Sequence, residues 1–149
     1  MKTPDIARHF SQEDATFTMP SWDLVALYGD MRFALLYSAI FFPEFIEVED
    51  SILLADYTDG VRELFSDAKK TTKLSLAELE ASFNFVEVAY MFRRDDITDD
   101  AIEIKLAHII VDAWQDRLKR LYPSRVFSVS VLDPSVSGSV YSVEFFEIR

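Results

Sequence analysis

The spacing of apolar residues changes once along this chain, and that change constrains the fold more than any other feature. Leu76, Leu79, Phe83, Val86 and Tyr90 recur at intervals of three and four, one face of an α-helix, with Glu80, Asn84 and Glu87 on the opposite face. Ser75 followed by Glu78 is a capping-box start signal for that helix. A second helix is predicted over 99–121, with Ile102, Leu106, Ile110, Trp114, Leu118 and Leu121 facing inward. Thr98 is its expected N-cap. Asp99 and Asp100 in its first turn and Arg117, Lys119 and Arg120 in its last complement the helix dipole. After Arg125 the period becomes two: Phe127, Val129 and Val131 alternate with Ser128 and Ser130, and Tyr141, Val143 and Phe145 with Ser142 and Glu144. Pro134 and Gly138 supply the loop between them, so these segments form an antiparallel hairpin. Phe146 and Ile148 fall on its other face, which makes both faces of the last strand apolar.

Upstream, Trp22–Phe42 is interrupted only by Asp23, Gly29, Asp30, Arg32 and Ser38, the pattern of a buried helix opened by Pro20 and Ser21 and closed by Pro43. Two short strands, 45–48 and 51–55, flank Glu49-Asp50 as a tight hairpin. Thr58 or Asp59 then caps a short amphipathic helix carrying Val61, Leu64, Phe65 and Ala68. This order predicts an α+β fold with three to four helices packed on a small antiparallel sheet, made of a central hairpin (about 45–55) and a C-terminal hairpin (about 125–148). Residues 1–19 are read as a polar arm and 20–149 as one domain, a length that suits a single core.

Charge narrows the function. Lys and Arg total 15 against 26 Asp and Glu, a formal charge of −11. Residues 1–103 hold 21 acids and 9 bases, and the remaining residues 5 acids and 6 bases, so one end of the chain carries the excess. Nucleic-acid backbones and anionic membranes are recognised by Lys and Arg, which argues against both; a basic protein is the better match. The absence of Cys excludes thiolate zinc sites and Cys nucleophiles and agrees with a cytoplasmic protein. The first residues lack a signal-peptide core, and the apolar run 33–42 is short of the ~20 residues that cross a bilayer.

Signatures of chemistry are missing. The three glycines, at 29, 60 and 138, never form a phosphate-cradling loop. His9 and His108 lack partners at metal-ligand spacing; His108 sits one turn from Lys105 and Asp112, a solvated-face arrangement. Carboxylate pairs abound but follow from composition. No catalytic residue, metal site or cofactor is assigned.

Pro43–Gly60 packs Glu44, Glu47, Glu49, Asp50, Asp56 and Asp59 among strand-forming residues without one Lys or Arg. Charge on an edge hairpin blocks aggregation, and the acids are explained by that alone unless a partner offsets their repulsion. The functional reading is a non-enzymatic acidic binding protein, of the toxin-immunity or inhibitor kind, that occludes a basic protein. Its contact residues would be Glu44, Glu47, Glu49, Asp50, Asp56 and Asp59, with Tyr57 as aromatic anchor and Asp95 and Asp96 as an extension. A homo-oligomeric structural protein is the alternative, and a small-molecule or carboxylate-enzyme pocket around Arg32 and Ser38 the second. In the pocket reading, Asp30 or Glu87 would pair a buried Arg32.

Overall fold

The computed structural model describes residues 21–55, 60–92, 100–138 and 140–149. The fold is α+β; among the described residues there are seven helices and two small antiparallel sheets. Two compact units divide after Tyr37.

The Trp22–Phe42 segment is not one buried helix. It forms α1 (Ser21–Tyr28) and α2 (Met31–Phe41), bent by 118° at Gly29-Asp30. The break is local chemistry. Gly29 N–H closes α1 on Val25 O at 2.8 Å, and a Cβ there would meet that oxygen at 2.3 Å. Asp30 caps α2, its Oδ1 accepting from Arg32 N–H at 2.8 Å. Neither helix is buried; α2 has no buried residue, and Met31 is 90 % exposed. Periodicity marks apolar surface, and it cannot say whether the same chain covers that surface.

In the Ser38–Arg149 unit, β1 (Phe45–Val48) and β2 (Ser51–Leu54) pair from Phe45↔Leu54 to Val48↔Ser51, the expected hairpin. Glu49 and Asp50 both take positive φ, 48° and 71°, as a type I′ two-residue turn requires. Asp50→Gly is expected to stabilise the fold by about 0.5–1 kcal/mol, the left-handed penalty removed less the added chain entropy. A thermal midpoint raised by ~1–4 °C is the readout, and a lowered one would contradict this turn geometry.

All four residues of β2 are buried, because β2 separates two cores. Ile52 and Leu54 join Trp114, Phe127 and Phe145, whereas Leu53 faces Val48, Phe65 and Leu79. The period-two alternation of one strand thereby supplies both clusters. Helix α3 (Val61–Thr71) follows, buried through Val61 and Phe65, with Leu64 left half exposed. Its N-cap is Gly60 at φ 70°, a conformation glycine adopts without penalty. No side chain caps it there, a correction to the expected Thr58 or Asp59, which lie outside the described residues.

Helix α4 (Leu76–Phe83) begins in the expected capping box, Ser75 Oγ accepting from Glu78 N–H and Glu78 Oε2 from Ser75 N–H. It ends seven residues before Tyr90. Val86-Glu87 instead form β3, paired with Val143-Ser142, and α5 (Val88–Met91) is a single turn. β-branched Val86 and Val88 fit a strand edge, and sheet pairing overrides the helical period there.

Helix α6 (Asp100–Leu121) buries Ala107, Ile110, Trp114 and Leu118 and leaves Leu121 exposed; Thr98 and Asp99 lie outside the described residues. It packs on β4 (Val126–Leu132), whose partner is β5 (Ser142–Ile148). The connecting loop includes a single turn, α7 (Pro134–Ser137), capped by Asp133. Phe145 is fully buried, with edge contacts to the rings of Phe45, Trp114 and Phe127. On the other face α4 lies against β5, with Ala77 and Ala81 beside Phe146, while Ile148 stays exposed.

Candidate functional site

The two hairpins occupy separate sheets, β1-β2 and β3-β5-β4, and the reason lies at the end of α4. Because β3 is only two residues long, most of the β5 edge needs other partners. Asn84 and Glu80 supply them. Asn84, fully buried, accepts from Leu54 N–H at 3.0 Å and donates to Ile52 O at 2.9 Å and Phe145 O at 3.3 Å, joining β2 to β5 through one amide. Glu80, 1 % exposed, accepts from Glu147 N–H at 2.9 Å and from Arg149 Nη2 at 2.7 Å. Helical periodicity puts both on the face opposite the apolar one. That period places a residue on a face, and here the polar face meets a strand edge.

The acidic hairpin is anchored to this frame by the chain's own bases. Arg125 donates through Nη1 to Glu47 Oε1 at 2.8 Å and through Nη2 to Glu147 Oε2 at 2.6 Å, and its Nη2 also contacts Asp50 O. Arg149 Nη2 reaches Glu147 Oε2 at 2.9 Å and Asp50 O at 3.1 Å. On the other flank Lys69 pairs with Glu49 at 3.2 Å, and Arg62 donates to Glu47 O at 3.0 Å. The Ser66 hydroxyl, then Lys69, hold the Glu49 carboxyl below the usual range, and Glu147 raises Arg125 further above its ordinary value. Of the proposed contact residues, Glu44, Glu47, Glu49 and Asp50 are all exposed, and Glu47 and Glu49 also form ion pairs within the chain. Asp56, Tyr57, Asp59, Asp95 and Asp96 lie outside the described residues. The four bases arrive from α3, the turn before β4 and the end of β5, so the lack of Lys and Arg within 43–60 gave no sign of them.

A second surface is apolar. Trp22 is 84 % exposed, and Val25, Leu27, Met31, Phe33 and Leu36 are exposed on the same two helices. Arg32, expected in a buried pocket, is an exposed side chain locked to Asp30 at 2.7 Å. That pair lowers the Asp30 carboxyl and leaves α2 without a free cationic face. No single helix among the described residues is long and apolar enough to cross a membrane; α1 and α2 together have the length and composition, but are bent by 118°.

Among the described residues no group of three His, Asp or Glu converges as a metal site, and His108 is exposed on α6. A pocket of about 660 Å³ opens between the end of α2, the end of β2, α5 and α6. Its polar lining includes Ser38, Glu44 and Arg117, so Ser38 lines a pocket and Arg32 does not. No protein-family model, curated protein or solved structure matches the chain.

Proposed function

We propose that this chain is a non-enzymatic protein-binding domain that covers a basic protein, with the exposed apolar helices α1 and α2 supplying the contact and the net negative charge selecting the partner. The exposure of Trp22, Met31 and their neighbours carries this reading. Aromatic rings hold ~150–250 Å² each, so Trp22 and Phe33, 84 % and 54 % exposed, present a few hundred Å² between them. That is comparable with the ~300–600 Å² of the largest apolar patch on a typical monomer, a size that marks interaction surfaces. A protein fits better than a lipid surface, because helices that lie on membranes oppose their apolar face with cations. Here the one cation of the pair is Arg32, held by Asp30. The charge of −11 speeds encounter with a basic protein by its long-range field, independently of which acids touch it. Glu47 and Glu49 are exposed but already ion-paired, so of the hairpin acids Glu44 and Asp50 carry the uncompensated side-chain charge.

The test is capture from the source organism's lysate by the chain and by its Trp22→Ser/Met31→Ser/Leu36→Ser variant, at low and high salt. A basic protein retained by the unsubstituted chain, at least tenfold less by the variant and less at high salt, is the expected result. No protein retained preferentially by the unsubstituted chain would overturn the reading. Sedimentation velocity distinguishes self-association: a dimer that the same substitutions dissociate would assign the apolar helices to a second copy.

A further inference from the structure

The pocket beside α6 is built in a way the protein-binding reading does not use. Two α6 side chains one turn apart pin the segment between α2 and β1: Trp114 Nε1 donates to Ile40 O and Arg117 Nε to Pro43 O, each at 2.7 Å. The first satisfies the indole and leaves its ring as apolar wall, beside Leu54, Val86 and Met91. The second engages Nε of the guanidinium, and Arg117 itself lines the pocket. Among the described residues no carboxylate lies within ion-pair distance of Arg117. An oriented arginine at the edge of an apolar cavity of about 660 Å³ is the arrangement that seats a planar anion with an apolar body.

We propose that this pocket binds a small amphipathic monocarboxylate, its carboxylate on the Arg117 Nη groups and its hydrocarbon against Leu54, Met91 and Trp114. Arginine matches the two oxygens of a carboxylate with two parallel N–H donors. One charge is the limit. Among the described residues Arg117 is the single cation lining the cavity, so a monocarboxylate seated on it and clear of Glu44 is matched, whereas a phosphate dianion would carry a second charge with no cation to meet it.

Trp114 reports on binding when Trp22, the other tryptophan, is replaced by Phe. Decanoate and 1-decanol, both below their aggregation limits, are the probes for the full chain carrying Trp22→Phe. The expected result is a saturable change in Trp114 fluorescence with decanoate at least tenfold tighter than with decanol. Arg117→Gln should weaken decanoate at least tenfold and leave decanol within twofold. Ala55→Phe, which fills the cavity from the end of β2, should weaken both at least tenfold. Equal affinities for the two probes, decanoate binding that survives either substitution, or the absence of a saturable change would each overturn the proposal. If Arg117→Gln does not fold, the decanoate-to-decanol ratio and Ala55→Phe decide it. Capture of a protein by α1 and α2 is read separately, so either proposal can fail alone.

Discussion

Asn84→Asp is expected to be the most damaging conservative substitution in this protein, and its damage should grow with pH. The amide is fully buried and its orientation is dictated by its partners: the oxygen faces Leu54 N–H, and the nitrogen faces the carbonyls of Ile52 and Phe145. An aspartate keeps the acceptor and replaces the donor with a second oxygen, 2.9 Å from one carbonyl oxygen and 3.3 Å from another if the frame does not move. Ionised, it would be a buried charge against two dipoles of the wrong sign, a cost of about 4 kcal/mol or more. Protonated, it donates to one carbonyl and the cost falls by about half. The sign follows from linkage. Burial raises the folded-state pKa above the ordinary ~3.9, so the penalty is smallest below that value and increases as pH rises towards the folded pKa. Urea unfolding at pH 5 and pH 8 should therefore show a larger deficit at pH 8 for Asn84→Asp, and a nearly constant one of about 3 kcal/mol or more for Asn84→Ala, which strands the same backbone groups without adding charge. An Asn84→Asp variant within 1 kcal/mol of the parent at pH 8 would mean that the amide does not join the two sheets as described.

Glu80→Ala should cost about 2–4 kcal/mol, the second-largest effect. It removes the acceptor for Glu147 N–H on a strand edge that β3 is too short to pair, and it leaves Arg149 without its most buried carboxylate. Arg149 is itself about one-third exposed and retains Glu147, which places the figure below that for a fully buried broken pair. Glu80→Gln keeps an acceptor for the strand and loses the charge, so it should recover at least half of the deficit. Arg149→Ala should cost less than Glu80→Ala, and the double variant less than the sum of the two, because they share one contact. Equal losses for Glu80→Gln and Glu80→Ala would assign the whole effect to the ion pair and none to the strand edge.

Asn84 and Glu80 both fall on the face that helical periodicity sets opposite the apolar one, and the reason bears on how much of this protein its sequence could show. The capping box at Ser75, the Glu49-Asp50 turn, the inward face of α6 through Trp114 and Leu118, and the alternation of β4 and β5 were all legible. Each is decided by contacts within about one turn or one strand pair. The break at Gly29-Asp30 was written locally too, as a helix terminator followed by a cap, but the apolar run around it masked it. Of the acidic site, the hairpin carrying Glu44–Asp50 was legible and its neutralisation was not. Arg125 and Arg149 lie 75 or more residues from the turn they hold, and nothing in the spacing of Pro43–Gly60 points to them.

By itself, then, the order of apolar and polar residues determined the α+β class, the hairpins and the faces of the long helices, because period, capping and turn chemistry act over a few residues. The tertiary structure alone decided where α4 stops, that two sheets form with Asn84 between them, that Glu47 and Glu49 are held by distant bases, and that α1 and α2 stay exposed. The physical reason is common to all four. A polar side chain is buried only when a backbone edge or an opposite charge from elsewhere in the chain meets it, and an apolar one only when another surface covers it. Those meetings are set by the path of the whole chain, to which no local pattern has access.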